Sequence, residues 1–415
     1  MNKKKILNDP VYGFVNVPYG IIFDLMEHPY FQRLRRIKQL SLTHYVYPGA
    51  LHTRFHHALG ALHLMTQAIE TLRSKGTAIT EEEAKAVSIA ILLHDIGHGP
   101  FSHTLENTLI NVTHEELSVL FMEKLNVEFS GALSMALDIF RNDHPKKFLH
   151  QLVSSQLDMD RMDYLNRDSY FTGVHEGVIG YHRLIKMLAV HKDELVIEEK
   201  GIYSIEKFLV ARRLMYWQVY LHKTVLSAEL MLIQVLNWAK YLVRAGWDPM
   251  IASPAMRFFL ENTLDSSYLE SNPDILLSYF AELDDIDIIS SIKTWVGAED
   301  PFLAFLSKKI VDRQLYRLDF SNLPFEPSYK TTLKEKIANW NPFNEEVFPF
   351  LFIEGQESNS AYSTSKDEIK ILFKNGMVKP MSDSMDYGIQ SKNFVKHYLC
   401  YPKEILKASK IKSLH

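Results

Sequence analysis

The sequence predicts a mainly α-helical protein, with a helical core that carries short β-hairpins and a smaller C-terminal α+β lobe. Three observations predict it. Apolar residues recur at helical spacing through most of the first 240 residues. Capping signals and Gly/Pro breaks punctuate that pattern. Beyond about residue 245 the texture changes, and a strong hairpin signal appears. At 415 residues, 47% hydrophobic and 23% charged, the chain is long enough to bury a core without staples.

Taken in chain order, Thr80-Glu81-Glu82-Glu83 has the form of a capping box and opens the apolar run 84–93. That run reads as a buried helix ending near His94, stopped by Gly97, Gly99 and Pro100. Residues 195–203, Leu-Val-Ile-Glu-Glu-Lys-Gly-Ile-Tyr, read as a short hairpin. Residues 204–240 read as one long helix, in which Phe208, Leu209, Met215, Tyr216, Leu230 and Leu232 supply the apolar face. Asn375-Gly376 predicts a hairpin between 369–373 and 377–379, with 348–353 as a partner strand. The expected division is a catalytic core over 1–244 and a structural and assembly lobe over 245–415.

Composition excludes several classes. No stretch approaches the roughly 20 apolar residues that span a bilayer. The N-terminus begins Met1-Asn2-Lys3-Lys4-Lys5 without an apolar signal region. The single cysteine, Cys400, excludes an intramolecular disulfide framework and a cysteine metal cage, which fits a reducing, cytoplasmic setting. A net charge of −4 gives no overall attraction to nucleic acid, so nucleic-acid binding is not indicated, although a local basic pocket can hold a small anion. There is no Gly-rich phosphate loop.

The chemistry-bearing residues cluster. His94-Asp95 offers an imidazole and a carboxylate side by side at a predicted helix end. Alone, the pair reads better as a capping or solvated pair. Its company is Arg54-Phe55-His56-His57 upstream and Asp158-Met159-Asp160-Arg161 downstream, both rich in metal-ligand and phosphate-binding types. His98 shares a face with His94 if the helical turn persists; alone, it reads almost as well as a packing histidine. Leu40 and Tyr220, alone, read as core.

These motifs resemble the HD-domain superfamily, whose H…HD…D pattern is met by His57, His94-Asp95 and Asp160. The match is closest to its deoxynucleoside triphosphate triphosphohydrolases. It runs through Asn8-Asp9-Pro10, the stretch from Phe31 to Leu40, Tyr47-Pro48-Gly49-Ala50, the stretch from His94 to His103, 158–168 and Tyr220-Leu221-His222-Lys223. The resemblance implies an HD-domain helical core with one divalent transition metal (Mn, Fe, Ni, Co or Zn) on His57, His94, Asp95 and Asp160, and Mg bridging the substrate phosphates. It implies cleavage of a dNTP to deoxynucleoside and triphosphate, with Asp95 orienting water, His98 as donor or proton carrier, and His114 with Glu106 as the acid. Arg54, His103, Arg161, Arg212 and Tyr164 would hold phosphates, with Asp158 beside them. Gln39 and Asp168 would bind the 3′-hydroxyl, and Leu40 and Tyr220 would pack on the sugar. Arg161 stands where a vertebrate member of that family has lysine.

An activating nucleotide at a subunit junction is implied near Lys5, Ile6, Glu27, Gln32, Arg35, Arg183 and Lys200, within a homo-oligomer, a dimer or a tetramer. Glu198, standing where a relative has arginine, departs from that pattern. Two other readings stay open: an HD phosphohydrolase acting on monophosphates, cyclic dinucleotides or guanosine tetraphosphate, and a nucleotide or nucleic-acid sensor with little turnover.

Overall fold

The structure, a computed structural model, describes residues 4–101, 104–106, 108–247, 252–359, 362, 368–384 and 394–406. It opens with the antiparallel hairpin β1 (Lys4–Asp9) and β2 (Gly13–Pro18). The helices that position the site are α1 (Arg54–Ser74), α2 (Glu81–Leu93), α3 (His114–Glu128) and α4 (Met159–Thr172). α1 packs on both α2 and α4, burying Phe55, Ala58, Leu62 and Met65 in a core continuous with Ile89, Leu92 and Met162. The predicted capping box forms at α2: Thr80 accepts from the Glu83 N–H at 3.1 Å, and Glu83 accepts from the Thr80 N–H at 2.9 Å.

Two sequence expectations are corrected next. The hairpin expected over 195–203 lies further upstream, as β3 (Leu188–His191) paired with β4 (Glu194–Glu198). Its two turn residues, Lys192 and Asp193, both adopt left-handed φ of 51° and 60°, the mirror-image turn that matches strand twist. Gly201 instead precedes a helix. The helix expected over 204–240 divides into α5 (Ile202–Met215) and α6 (Lys223–Arg244), bent by 56°. Between them Tyr216–Tyr220 widens to a π turn, and the His222 side chain caps α6 by accepting from the Thr224 N–H at 3.1 Å. Among the described residues no single helix is long and apolar enough to cross a membrane.

Further on, α7 (Asp285–Trp295) packs on α8 (Pro301–Val311), and α8 packs on α6. β5 (Arg317–Ser321), β6 (Ile353–Asn359) and β9 (Phe394–Tyr401) form an antiparallel sheet of order β5-β9-β6. The Asn375-Gly376 turn joins β7 (Lys370–Leu372) to β8 (Val378–Pro380) as expected. The partner strand expected over 348–353 is corrected: Phe348–Leu351 is a helical turn, and the strand that follows pairs with β9. β7 pairs in parallel with β4, so one sheet, β3-β4-β7-β8, spans both halves of the chain.

One buried cation ties those halves together. Arg33, fully buried, donates to the Leu283 carbonyl at 3.0 Å, the Ile96 carbonyl at 3.2 Å and the His98 carbonyl at 2.8 Å. Asp284 pairs with Arg36, and Asp285 accepts from the Lys38 N–H at 3.0 Å and the Phe101 N–H at 3.3 Å. The loop after α2 is thereby fixed from both sides.

Candidate active site

α1, α2 and α4 bring four predicted metal ligands together. The Nε2 atoms of His57 and His94 face one another at 3.2 Å, and Asp160 Oδ1 lies 3.1 and 3.4 Å from them. Asp95 Oδ1 is 3.3 Å from His94 Nε2, and its Oδ2 is 3.7 Å from His57 Nε2. The other ring nitrogens are occupied: His57 Nδ1 pairs with Asp163 Oδ2 at 2.8 Å, and His94 Nδ1 with the Ile91 carbonyl at 2.7 Å. With each Nδ1 proton so used, two Nε2 lone pairs and two carboxylates point into one small space. Such groups repel unless a cation lies among them, so the donor set fits a divalent metal.

The electrostatics agree. Burial opposes protonation of His57, but Asp160 and Asp163 outweigh it and push its pKa up to about 10. Burial likewise opposes ionisation of Asp160 and Asp95. His57 and His94 hold Asp160, and His94 with Arg54 and His98 holds Asp95, well below the carboxylate range.

Local structure sets these positions. His57 lies in the first turns of α1, whose N-cap Thr53 N–H is capped by His56 Nδ1 at 3.2 Å. His94 is the C-cap residue of α2. Asp158, expected to bind substrate, is fully buried and caps α4, accepting from the Arg161 N–H and the Ser155 N–H at 2.7 Å each. That places Asp160 in the first turn of α4, where the helix dipole favours a carboxylate. Behind His57, Asp163 is held bidentately by Arg167 at 2.9 and 3.1 Å, and Arg167 reaches Asp9 at 2.8 Å. Gly60 makes room for this chain, since a Cβ there would lie 1.9 Å from Asp163 Oδ1.

The α2 helix does not persist to His98 as the shared-face expectation required; a turn carries it there, with the His98 N–H on the Asp95 carbonyl at 3.1 Å. His98 stacks on His114 at 3.9 Å, and His114 Nδ1 bonds Glu106 Oε1 at 2.8 Å. Burial, then Arg54, pushes the His98 pKa well down and keeps it a neutral imidazole. α3 approaches this loop closely because residue 97 is glycine: a Cβ would lie 2.3 Å from the His114 carbonyl oxygen. Ser118 fills the junction, accepting from the Gly97 N–H at 3.0 Å and donating to the His94 carbonyl at 2.9 Å.

A cavity of about 660 Å³ opens beside the cluster. Its lining includes the expected Gln39, Leu40, Arg54, Asp95, His98, His114, Asp160, Arg161, Tyr164, Asp168, Arg212 and Tyr220. Arg54 pairs with Asp95, and Arg161 with Asp158. Arg212 is 9% exposed, and its Nε and Nη1 have no partner. Tyr220 donates to Asp168 Oδ2 at 2.7 Å, while His52 Nε2 meets Asp168 Oδ1 at 2.8 Å. His103 lies outside the described residues. The residues expected at a regulatory site are exposed, apart from half-buried Gln32: Lys5 and Ile6 on β1, Glu27, Gln32 and Arg35 near the end of the first helical turns, and Arg183 and Lys200 in another group. Arg35 donates to Gln32 at 2.7 Å, and Arg183 to the Lys200 carbonyl at 3.0 Å.

Sequence reasoning missed the roles of His52, Asp163, Arg33 and Asp284-Asp285. The spacing of Asp163, three residues after Asp160, and of Arg167, four after Asp163, was a usable signal. Arg33 and Asp284-Asp285, which act across some 250 residues, left no local one.

Comparison with known proteins follows the same geometry. The HD domain family matches residues 54–168 and the HD associated region matches 179–242. A phosphohydrolase crystal structure from Bacteroides thetaiotaomicron is 48% identical with a TM-score of 0.92, covering 96% of this chain and 100% of that one. A Bacillus subtilis protein of uncharacterised function is 30% identical over 98% of this chain and 94% of its own length. The Dictyostelium discoideum homologue of a deoxynucleoside triphosphate triphosphohydrolase is 32% identical over 58% of this chain and 50% of its own length.

Proposed function

The chain belongs to the HD-domain superfamily as a relative of the deoxynucleoside triphosphate triphosphohydrolases, and from that premise we propose that it cleaves dNTPs to deoxynucleoside and inorganic triphosphate. The observation that supports the reading is a cavity beside the His57/His94/Asp160 cluster, lined by Asp95, Asp160, three guanidinium groups and the Tyr220–Asp168 pair. Arg212 in particular is a buried cation with unpartnered N–H groups aimed into the cavity, which an anionic ligand satisfies. A monophosphate does not call for three guanidiniums.

His57, His94, Asp95 and Asp160 would hold a divalent metal, which would supply Lewis-acid chemistry at the phosphoryl group. The residues do the rest. Asp95 orients the attacking water, whose oxygen bonds to the α-phosphorus as the bond to the 5′-oxygen breaks and whose proton passes to solvent, from which His114 is reprotonated. His114, held by Glu106, gives its proton to that departing oxygen, and His98 stacked beneath it bonds the phosphate. Arg54, Arg161, Arg212 and Tyr164 neutralise and orient the triphosphate. Gln39 and Asp168 bond the 3′-hydroxyl. The Tyr220 ring, with Leu40, packs against the sugar and leaves no room for a 2′-hydroxyl. Asp158 completes the phosphate end by fixing Arg161, and His103, which the resemblance also assigns to the phosphates, lies outside the described residues. The exposed Lys5, Ile6, Glu27, Gln32, Arg35, Arg183 and Lys200 suit a regulatory nucleotide between subunits of a homo-oligomer.

The test is to supply metal-free protein with Mn²⁺, Mg²⁺ or Fe²⁺ and the four dNTPs, and to identify the products by chromatography. Deoxynucleoside with triphosphate is the expected result. Cleavage of monophosphates or cyclic dinucleotides alone would retain the metal chemistry and overturn the substrate.

A further inference from the structure

His114 and Glu106, the pair at the far end of the cavity, are held by different means. His114 opens α3, whose N-cap Thr113 forms a capping box with Glu116: the Glu116 N–H donates to Thr113 Oγ1 at 3.2 Å, and the Thr113 N–H to Glu116 Oε2 at 2.9 Å. Glu106 lies outside any helix or strand, in the turns that precede α3. Those turns close through the Thr108 and Leu109 N–H groups on the Leu105 carbonyl, at 3.1 Å each. Leu105, Leu109, Ile110 and Val112 are buried, yet a cavity of about 20 Å³ remains among Leu105, Leu109, Leu117, Phe259 and Phe280. Packing alone therefore does not fix where Glu106 stands.

Polar anchors come from later in the chain. The Asn111 N–H donates to the Leu264 carbonyl at 2.7 Å, and Lys240 Nζ donates to the Thr108 carbonyl at 3.1 Å, with a longer bond to the Leu109 carbonyl at 3.5 Å. Thr108 and Leu109 are buried, so their carbonyls need a donor from within the protein. Lys240 lies on α6, about two turns beyond Ile233 and on the same face. That face lines the cavity with Leu226, Glu229, Leu230 and Ile233. Lys240 is half-buried, and burial, then the nearby Arg244, pushes its pKa down to about 8. An ammonium kept at this cost, on an otherwise apolar stripe, is placed for the carbonyls it bonds.

We propose that Lys240 is a positioning residue for the reaction: by holding the Thr108 and Leu109 carbonyls it sets the turn that brings Glu106 Oε1 to His114 Nδ1. The inference rests on the reading of His114 as the acid that protonates the departing 5′-oxygen. The helix that shapes the nucleotide cavity then also places the acid that acts in it, although Lys240 touches neither substrate nor metal ligand.

A dNTP analogue with sulfur in place of the 5′-oxygen separates this role from a merely structural one. Water attacks the α-phosphorus in both substrates, but the thiolate released from the P–S bond needs no proton, whereas the alkoxide released from the P–O bond does. The experiment measures kcat and KM on the four dNTPs mixed, with and without the analogue as the reporting substrate, for the wild type and its variants. His114→Ala is expected to lose roughly 100-fold or more in kcat on the dNTPs and far less on the analogue. Lys240→Met is expected to lose roughly tenfold in kcat on the dNTPs, with KM and the analogue rate within about twofold of the wild type. Lys240→Arg, which keeps N–H donors for both carbonyls, should recover most of that loss. Equal losses on both substrates in Lys240→Met, or an unchanged kcat on the dNTPs, overturns the proposal. An unchanged dNTP rate in His114→Ala overturns the acid assignment beneath it, and no cleavage of any dNTP by the wild type overturns the triphosphohydrolase reading. Should Lys240→Met fail to fold, Lys240→Gln, which keeps two N–H donors without the charge, is expected to show the same selective loss to a smaller extent, and an equal loss on both substrates again overturns the proposal.

Discussion

The metal cluster and the cavity wall that faces it differ in how far the protein satisfies its own polar groups. At the cluster, His57 is braced by Asp163, Asp163 by Arg167, and Arg167 by Asp9, while His94 is braced by a backbone carbonyl. On the cavity wall, Gln39 Oε1, Arg161 Nε and Arg212 Nε and Nη1 are buried without partners. The first region is built for geometry and braces its side chains; the second keeps polar groups unsatisfied, a state that costs stability and that a bound polar ligand would relieve. Substitutions should therefore act with opposite sign on stability in the two regions.

The largest effect is expected within the bracing chain. Arg167→Met leaves Asp163 and Asp9 as buried charges without their cation, and stability should fall by about 3–5 kcal/mol in denaturant unfolding. Metal affinity should fall with it by roughly 10–100-fold, since the partner that orients His57 is itself released. Unchanged stability would mean that the chain is decorative. Arg212→Met should lower kcat/KM by roughly 100-fold or more while leaving the melting temperature unchanged or higher, because an unsatisfied buried guanidinium is removed. A melting temperature that drops as it does for Arg167→Met would erase the distinction between the regions.

A smaller effect concerns pH. The folded chain raises Glu229 from 4.5 to about 7, so between those values the folded state keeps a proton that the unfolded chain releases. Its contribution to stability falls as pH rises through that window, is fully unfavourable above about 7 and vanishes below 4.5. Glu229→Gln should accordingly raise the melting temperature at pH 8 and leave it little changed at pH 4, measured without nucleotide. The smallest effect is expected at the surface: Arg183→Ala and Lys200→Ala should change stability by no more than about 0.5 kcal/mol, and any loss should instead be of stimulation by added nucleotide.

The same contrast explains what could be read from the chain itself. His57, His94-Asp95 and Asp160 were legible as a candidate cluster because they sit in short motifs whose residue types suit metal ligation. The capping box at Thr80 and the Asn375-Gly376 turn were legible because both are local devices. The break at Tyr216–Tyr220 was not, because apolar spacing continues through a π turn and only the cavity shows why two tyrosines are needed there. The hairpin at Lys192-Asp193 was misplaced because its turn holds no glycine, although an aspartate accepts left-handed φ more readily than most residues. Arg33, Asp285 and Lys240 act on residues far away in sequence, and spacing carries no record of such contacts.

The metal centre is most directly tested by titrating Mn²⁺ into metal-free protein and into Asp160→Ala, and measuring bound metal per chain after dialysis. One metal per wild-type chain and none in the variant is the expected result, since removing Asp160 takes away both a ligand and a charge. Equal metal content in the two proteins, or none in the wild type, would contradict the assignment of His57, His94, Asp95 and Asp160 as the site.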